Sequence, residues 1–164
     1  MMALSVLAVG LTAAVFIDVR SRRIPNWLTA LMAGAGLVMA VGGMSGLTLG
    51  QAALGLAAGL LLMLPGHALG ATGAGDVKLM AAVGAILGPR TVFSAFVATA
   101  VAGGAFAVIV ALQRGTLQAT LQGTRQLVAS PAAAKETIEA PGRFNRFAYG
   151  PAIAVGTLVA VLLR

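Results

Sequence analysis

Long apolar runs, separated by short polar or glycine-rich segments, dominate the 164 residues of this chain. A membrane-spanning helix needs about 20 predominantly apolar residues. No Asp, Glu, Lys or Arg occurs from Ile24 through Gly75, but the glycine-rich residues 42–46 divide this stretch into two spans. The pattern predicts an all-α membrane protein with about six transmembrane helices, at residues 1–17, 27–41, 47–64, 76–88, 91–112 and 147–163.

The fourth predicted helix opens at Asp76 and stops at Gly88-Pro89. It is short for a hydrocarbon core about 30 Å thick, since a helix rises about 1.5 Å per residue. Both a re-entrant segment and a full crossing are compatible with this length. A full crossing gathers most of the basic residues on one side, as expected for cytoplasmic loops. We therefore expect six crossings with both termini outside. The external side then holds only Arg90 and Arg164. The cytoplasmic side holds the other nine basic residues: Arg20, Arg22, Arg23, Lys78, Arg114, Arg125, Lys135, Arg143 and Arg146.

A polar cytoplasmic connection is predicted at residues 113–146. Leu117, Leu121 and Val128 recur there at helical spacing, which fits a helix lying along the membrane interface, although a flexible loop is an equal alternative. Residues 131–142 are expected to form a loop.

Composition supports one membrane domain over residues 1–164. Hydrophobic residues make up 59% of the chain and charged residues 9%, whereas a soluble domain carries about 25% charged residues. The net charge of +7 favours anionic lipid headgroups as partners and not nucleic acid, since nucleic-acid binding needs a basic soluble face and aromatic residues make up only 5% of the chain. The chain has no cysteine and one histidine, so we expect no metal site and no cofactor, and His67 is expected to be an ordinary loop residue.

Two of the four acidic residues stand at predicted membrane edges. Asp18 closes the first span and Asp76 opens the fourth, whereas Glu136 and Glu139 fall in the polar connection. Each aspartate has a structural explanation: Asp18 can balance the nearby arginines, and Asp76 is suited to be a helix N-cap after glycines. The predicted topology nevertheless places both at similar depth on one side, where ionisable groups are often functional.

Paired carboxylates suit peptide hydrolysis, because one can activate water while the other protonates the scissile carbonyl. Gly73 and Gly75 are candidate substrate-binding residues, since glycine lets a second backbone approach closely, although a simple turn would also need them. Lys78 is a third candidate for substrate binding. Contact with lipid phosphate is its alternative role.

Three segments resemble the type IV prepilin peptidases. Asp18-Val19-Arg20 with Ile24-Pro25-Asn26 forms the first and the run from Gly73 to Leu79, which includes Gly-Ala-Gly-Asp, forms the second. Tyr149 to Ala154 forms the third, although Ala148 stands where the family usually has proline. In size the chain resembles the short forms of tight-adherence pilus systems.

The resemblance implies an aspartic endopeptidase of the inner membrane with Asp18 and Asp76 as its catalytic pair. It implies prepilin or pilin-like substrates, cut at the cytoplasmic face between a short leader and the following apolar helix, in type IV pilus assembly or protein secretion. Longer relatives also methylate the new N-terminus and carry a cysteine-rich insertion. This chain has no cysteine, so no methyltransferase activity is expected.

Two other classes of function remain open from the residues alone. A small transporter would use Asp18 and Asp76 to bind ions or relay protons, although transporter sites usually lie nearer the membrane midplane. A catalytically silent scaffold would use the small-residue helix faces to pack other subunits. The oligomeric state does not follow from the sequence.

Overall fold

The computed structural model describes residues 2–113 and 149–163, and every regular element within those ranges is an α-helix. The all-α prediction is thus confirmed. The predicted connection, with its candidate interfacial helix at 117–128 and loop at 131–142, lies outside the described residues except for residue 113. The helices are α1 Met2–Ser21, α2 Asn26–Val41, α3 Leu49–Ala68, α4 Ala74–Gln113 and α5 Gly150–Leu162.

Three of the described helices have the length and apolar composition to cross a membrane: Met2–Ser21, Leu49–Ala68 and Ala74–Val110. The other two, α2 and α5, are shorter and also apolar. Many large apolar side chains on these helices are exposed, including Val9, Leu31 and Leu61. A helical protein with such a surface is suited to a lipid environment.

The first part of α4 is the centre of the structure. Its side chains from Leu79 to Leu87 are all buried, and Leu79, Met80 and Val83 have no exposed surface. A helix that is apolar on every side must be enclosed by other elements. Here α3, α5 and α2 enclose α4, with smaller contacts from α1.

Gly88 interrupts α4 with φ 82° and ψ 173°, a conformation that favours glycine. An uninterrupted helix would place Gly103 about 40 Å from Asp76, at about 1.5 Å per residue. Instead, Tyr149 packs against Gly103 and also interacts electrostatically with Asp76. The chain therefore reverses direction at Gly88, and the segments before and after it run antiparallel.

Loops and helix ends collect at two opposite ends of the bundle. Gly88 contacts the Leu47 side chain at the end that holds the α2–α3 turn. At the other end, Ile24 in the α1–α2 turn packs against Gly75 at the start of α4. This second end also receives Tyr149, and it is where both predicted carboxylates lie.

Two helices run further than the apolar pattern indicated. The first predicted span ends at residue 17, but α1 continues to Ser21, and Arg20 stacks 4.8 Å from the Phe16 ring centroid in its last turns. The third ends at residue 64, but α3 passes through Pro65 to Ala68. An interior proline usually kinks or ends a helix, but α3 continues for three residues beyond Pro65, so His67 belongs to its last turn rather than to a loop.

Candidate active site

Asp18 lies on the buried face of α1. That face is a stripe at helical spacing formed by Leu7, Gly10, Leu11, Ala14 and Asp18. Asp18 is only 4% exposed, and its Oδ2 accepts a hydrogen bond of 2.9 Å from the backbone N–H of Gly150. The aspartate that was expected to close the helix therefore points into the bundle.

Gly150 is the first residue of α5, where backbone N–H groups have no partner within the helix. The positive end of the helix dipole also favours an anion there. A Cβ atom at position 150 would lie 2.8 Å from Asp18 Oδ2 and 3.2 Å from Asp18 Cβ. Glycine thus allows α5 to start directly against this carboxylate.

Asp76 lies in the first turn of α4 and is 7% exposed. Its Oδ2 accepts a hydrogen bond of 2.8 Å from Gly73 N–H, and its own N–H donates to the Gly73 carbonyl at 3.1 Å. Asp76 therefore stabilises the helix start from within the first turn, not as the N-cap residue that the sequence predicted, because α4 already begins at Ala74. Only Oδ2 takes part in the bond from Gly73 N–H. Within the part of the chain that the structure describes, the other carboxylate oxygen, Oδ1, accepts no hydrogen bond.

Asp18 and Asp76 are 58 positions apart in the sequence, yet they lie close enough in the fold for their charges to interact. The charge of Asp18 acts on Asp76, and Asp76 in turn acts on Tyr149. His67, in the last turn of α3, also interacts electrostatically with Asp76. The site is therefore assembled from the ends of four helices and from the turns beside them.

Gly75 and Gly73 have close neighbours in this arrangement. A Cβ at position 75 would lie 3.0 Å from Ile24 Cβ, and one at position 73 would lie 3.1 Å from Asp76 Oδ2. A side chain at either position would push its neighbour by a few tenths of an ångström, so both glycines fit the close packing of the site itself. Their predicted contact with substrate stays a prediction.

Lys78 is exposed and its Nζ donates to Asn26 Oδ1 at 2.8 Å. Asn26 is the first residue of α2, so this bond joins α2 to α4 beside the buried carboxylates. No ion pair between Lys78 and Asp76 is recorded among the described residues, consistent with their spacing of two positions on a helix.

Sequence reasoning did not identify Gly150, Asn26, Tyr149 or His67 as site residues. The Gly-Pro pair at 150–151 carried a signal, because it marks a helix start whose free N–H groups can bind a carboxylate. Asn26, directly after Pro25, carried a similar signal. Tyr149 and His67 reach the site only through long-range packing and loop geometry, which a single sequence does not show.

No group of three or more His, Cys, Asp or Glu side chains that could hold a metal ion occurs within residues 2–113 and 149–163. The site chemistry available from these ranges is that of two carboxylates with a nearby tyrosine, histidine and lysine.

The described residues thus form an all-helical, apolar bundle of the membrane type with two buried carboxylates at one end. A model of the type IV leader peptidase family matches residues 5–108, a range that contains Asp18, Asp76 and Lys78. The chain belongs to this family, which confirms the resemblance noted in its sequence. It is therefore a peptidase, and the family implies pilin-like substrates. No curated protein and no solved structure matches the chain.

Proposed function

We propose that this chain is an aspartic endopeptidase that removes the short leader of prepilin or pilin-like proteins at the cytoplasmic face of the inner membrane. One observation carries the aspartic assignment: Asp18 and Asp76 are both buried, come from different helices and interact electrostatically. Membership of the leader peptidase family supports the general reaction. The family resemblance supports pilin-like proteins as the substrate and the cytoplasmic face of the membrane as the place of cleavage.

Burying two carboxylates whose charges interact has a cost in free energy that structural roles alone do not require. An aspartate at an exposed helix start stabilises the helix just as well, and buried charges are costly unless paired. Two neighbouring carboxylates that hold one proton between them reduce that cost and supply an acid and a base together. The burial of both groups therefore favours chemistry at this site.

The proposed reaction is the addition of water to the scissile peptide bond. One carboxylate accepts a proton from water as the water oxygen bonds to the carbonyl carbon, while the other carboxyl gives its proton to the carbonyl oxygen. The first carboxyl then gives its proton to the leaving nitrogen, the second takes a proton back from a hydroxyl of the tetrahedral intermediate, the carbonyl reforms and the C–N bond breaks. Two new termini result, and the pair returns to its starting protonation state.

We further propose six membrane crossings, with the site end cytoplasmic. The reversal at Gly88 supports this count, because it divides α4 into two antiparallel segments. The distribution of Lys and Arg supports the orientation. The short-form assignment to tight-adherence systems rests on size and on the absence of cysteine.

Co-expression with a matching prepilin tests the proposal. Asp18→Asn and Asp76→Asn should each abolish leader removal, because an amide can neither accept nor donate the required protons, while the protein level in membranes stays normal. Glu136→Gln is the control, since it removes a carboxylate outside the matched range. Leader removal at the wild-type rate by either aspartate variant would show that the pair is not catalytic. Ion-dependent flux without proteolysis would instead favour a transporter.

A further inference from the structure

The turn between α3 and α4 is tightly held by its backbone. Gly70 adopts φ 74°, its N–H donates to the His67 carbonyl at 3.0 Å, and the N–H of Ala71 donates to the Gly66 carbonyl at 2.8 Å. These two bonds, with a left-handed glycine after the helix, form a Schellman motif. The motif turns the chain back over the end of α3, toward the His67 side chain.

The His67 ring adds one further bond to this turn. Its Nδ1 lies 3.0 Å from the carbonyl oxygen of Thr72. A carbonyl oxygen only accepts hydrogen bonds, so Nδ1 carries the hydrogen, in either the neutral or the cationic ring. His67 therefore holds the Thr72 carbonyl directly.

The Thr72 carbonyl and the Gly73 N–H belong to the same peptide group. That N–H is the donor to Asp76 Oδ2, at 2.8 Å. A peptide group is planar and rigid, so a contact that fixes its C=O also fixes the direction of its N–H. Bonds at both ends of one peptide group also polarise it and strengthen each other.

We propose that His67 is a positioning residue for Asp76, acting through the single peptide group between Thr72 and Gly73. This inference rests on the proposed function, in which Asp76 is one of two catalytic carboxyl groups. His67 orients the N–H that holds Oδ2 and thereby sets the direction of the remaining oxygen, Oδ1. The electrostatic interaction between His67 and Asp76 acts in addition to this contact.

The geometry suits a test by substitution because His67 is exposed. Replacing an exposed side chain leaves no cavity in the core, and the Schellman motif uses only main-chain atoms. His67→Asn places an amide N–H close to the position of Nδ1, whereas His67→Leu has nearly the same shape as Asn and no donor. Comparing the two variants separates the effect of losing the hydrogen bond from the effect of changing the side-chain size.

The experiment measures kcat and KM for prepilin cleavage by the full-length enzyme in detergent or lipid. We expect His67→Leu to lower kcat by about ten- to hundred-fold, the range that follows from misplacing a catalytic group by up to about 1 Å, with little change in KM. His67→Asn should restore most of the lost rate.

Backbone hydrogen exchange gives a second measurement that is independent of activity. The segment containing the Gly73 N–H should exchange faster in His67→Leu than in the wild type, and at the wild-type rate in His67→Asn. A wild-type kcat in His67→Leu overturns the proposal, as does unchanged exchange. Equal losses of kcat in the Asn and Leu variants also overturn it. The failure of the proposed function differs from all of these, because it would appear as normal cleavage by Asp76→Asn itself.

Discussion

Each carboxylate of the site accepts one main-chain N–H, and both donors are glycines at helix starts. Gly150 begins α5 and bonds Asp18, while Gly73 directly precedes α4 and bonds Asp76. Main-chain donors at helix N-termini stabilise carboxylates without a competing side-chain charge. They also depend on a close approach of the backbone, which a side chain at either glycine would disturb.

Gly150→Ala is expected to lower cleavage by about ten- to hundred-fold, as misplacement of a catalytic group does. The new Cβ would lie 2.8 Å from Asp18 Oδ2, so either the aspartate or the start of α5 must shift. Cleavage assays with purified enzyme measure the effect. Gly104→Ala is the matched control, because a Cβ there meets no atom within 4 Å, and wild-type activity in Gly150→Ala would contradict this account of the contact.

Lys78→Met tests the tentative role of Lys78 in substrate binding. The variant keeps most of the side-chain stem and removes the ammonium group that Asn26 holds next to the site. If this group contacts the substrate equally in the ground and transition states, KM rises several-fold while kcat stays constant. We expect that result in steady-state kinetics.

Arg90→Met is the control for Lys78→Met, since Arg90 is an exposed cation beside the chain reversal at the opposite end of the bundle. It should leave both constants unchanged. An unchanged KM in Lys78→Met would leave lipid contact and the bond to Asn26 as the functions of Lys78.

At the scale of the helices, α3 and α4 cross at their glycines. A Cβ on Gly55 would clash with the Gly84 carbonyl and lie 2.9 Å from the Gly88 carbonyl carbon. Small residues that allow backbones to approach closely are the usual basis of packing between membrane helices. The crossing holds the central segment of α4 against α3 and so fixes the depth of Asp76.

Gly55→Ala is expected to destabilise the protein by about 1–3 kcal/mol, the usual cost of overpacking a well-packed contact. Thermal unfolding in detergent measures the loss. Gly50→Ala, in the first turn of the same helix, is the control because its nearest neighbour would be Thr48 Oγ1 at 3.9 Å. Glycine to alanine at an open helical position stabilises by about 0.5–1 kcal/mol, so the two variants should change stability in opposite directions.

The helices could be predicted from the apolar pattern, but their ends and partners could not. The glycine-rich residues 42–46 and the Gly88-Pro89 pair mark real interruptions, because glycine and proline disrupt helices locally. Asp18 and Pro65 were interpreted as helix ends by the same local rules, yet both lie inside helices. Burial against other helices outweighs local preference at these positions.

The carboxylate pair was identifiable because acidic residues are rare in this chain and because the family motifs surround both aspartates. Asp18 and Gly150, which form a hydrogen bond, are 132 positions apart in the sequence. No local sequence pattern indicates a pairing over that separation. The role of His67 was missed for a different reason. Its ring acts on a neighbouring peptide group, so the identity of residue 67 matters only once the turn geometry is known.

At the scale of the whole molecule, the proposed hydrolysis needs no metal ion, because carboxyl groups carry out both proton transfers. Leader cleavage by the purified enzyme should therefore be the same with and without EDTA. A thiol-dependent reaction is not possible in a chain without cysteine. Complete loss of activity in EDTA, restored by added zinc, would contradict the aspartic assignment and point to a metal-activated water.

The proposed membrane orientation can be tested by labelling because the natural chain has no cysteine to interfere. Met44→Cys places one thiol in the α2–α3 turn and Ala71→Cys places one in the α3–α4 turn, both at exposed positions. These turns lie at opposite ends of the bundle, Ala71 at the end that holds Asp76 and Met44 at the end that holds Gly88.

In intact spheroplasts, a membrane-impermeant maleimide should label Met44→Cys and not Ala71→Cys. After permeabilisation both should react, which controls for burial of the thiol. This result follows if Lys and Arg hold the site end in the cytoplasm. The reverse labelling would place Asp18 and Asp76 outside, where a prepilin leader that stays cytoplasmic could not reach them, so it would contradict the proposed site of cleavage as well as the orientation.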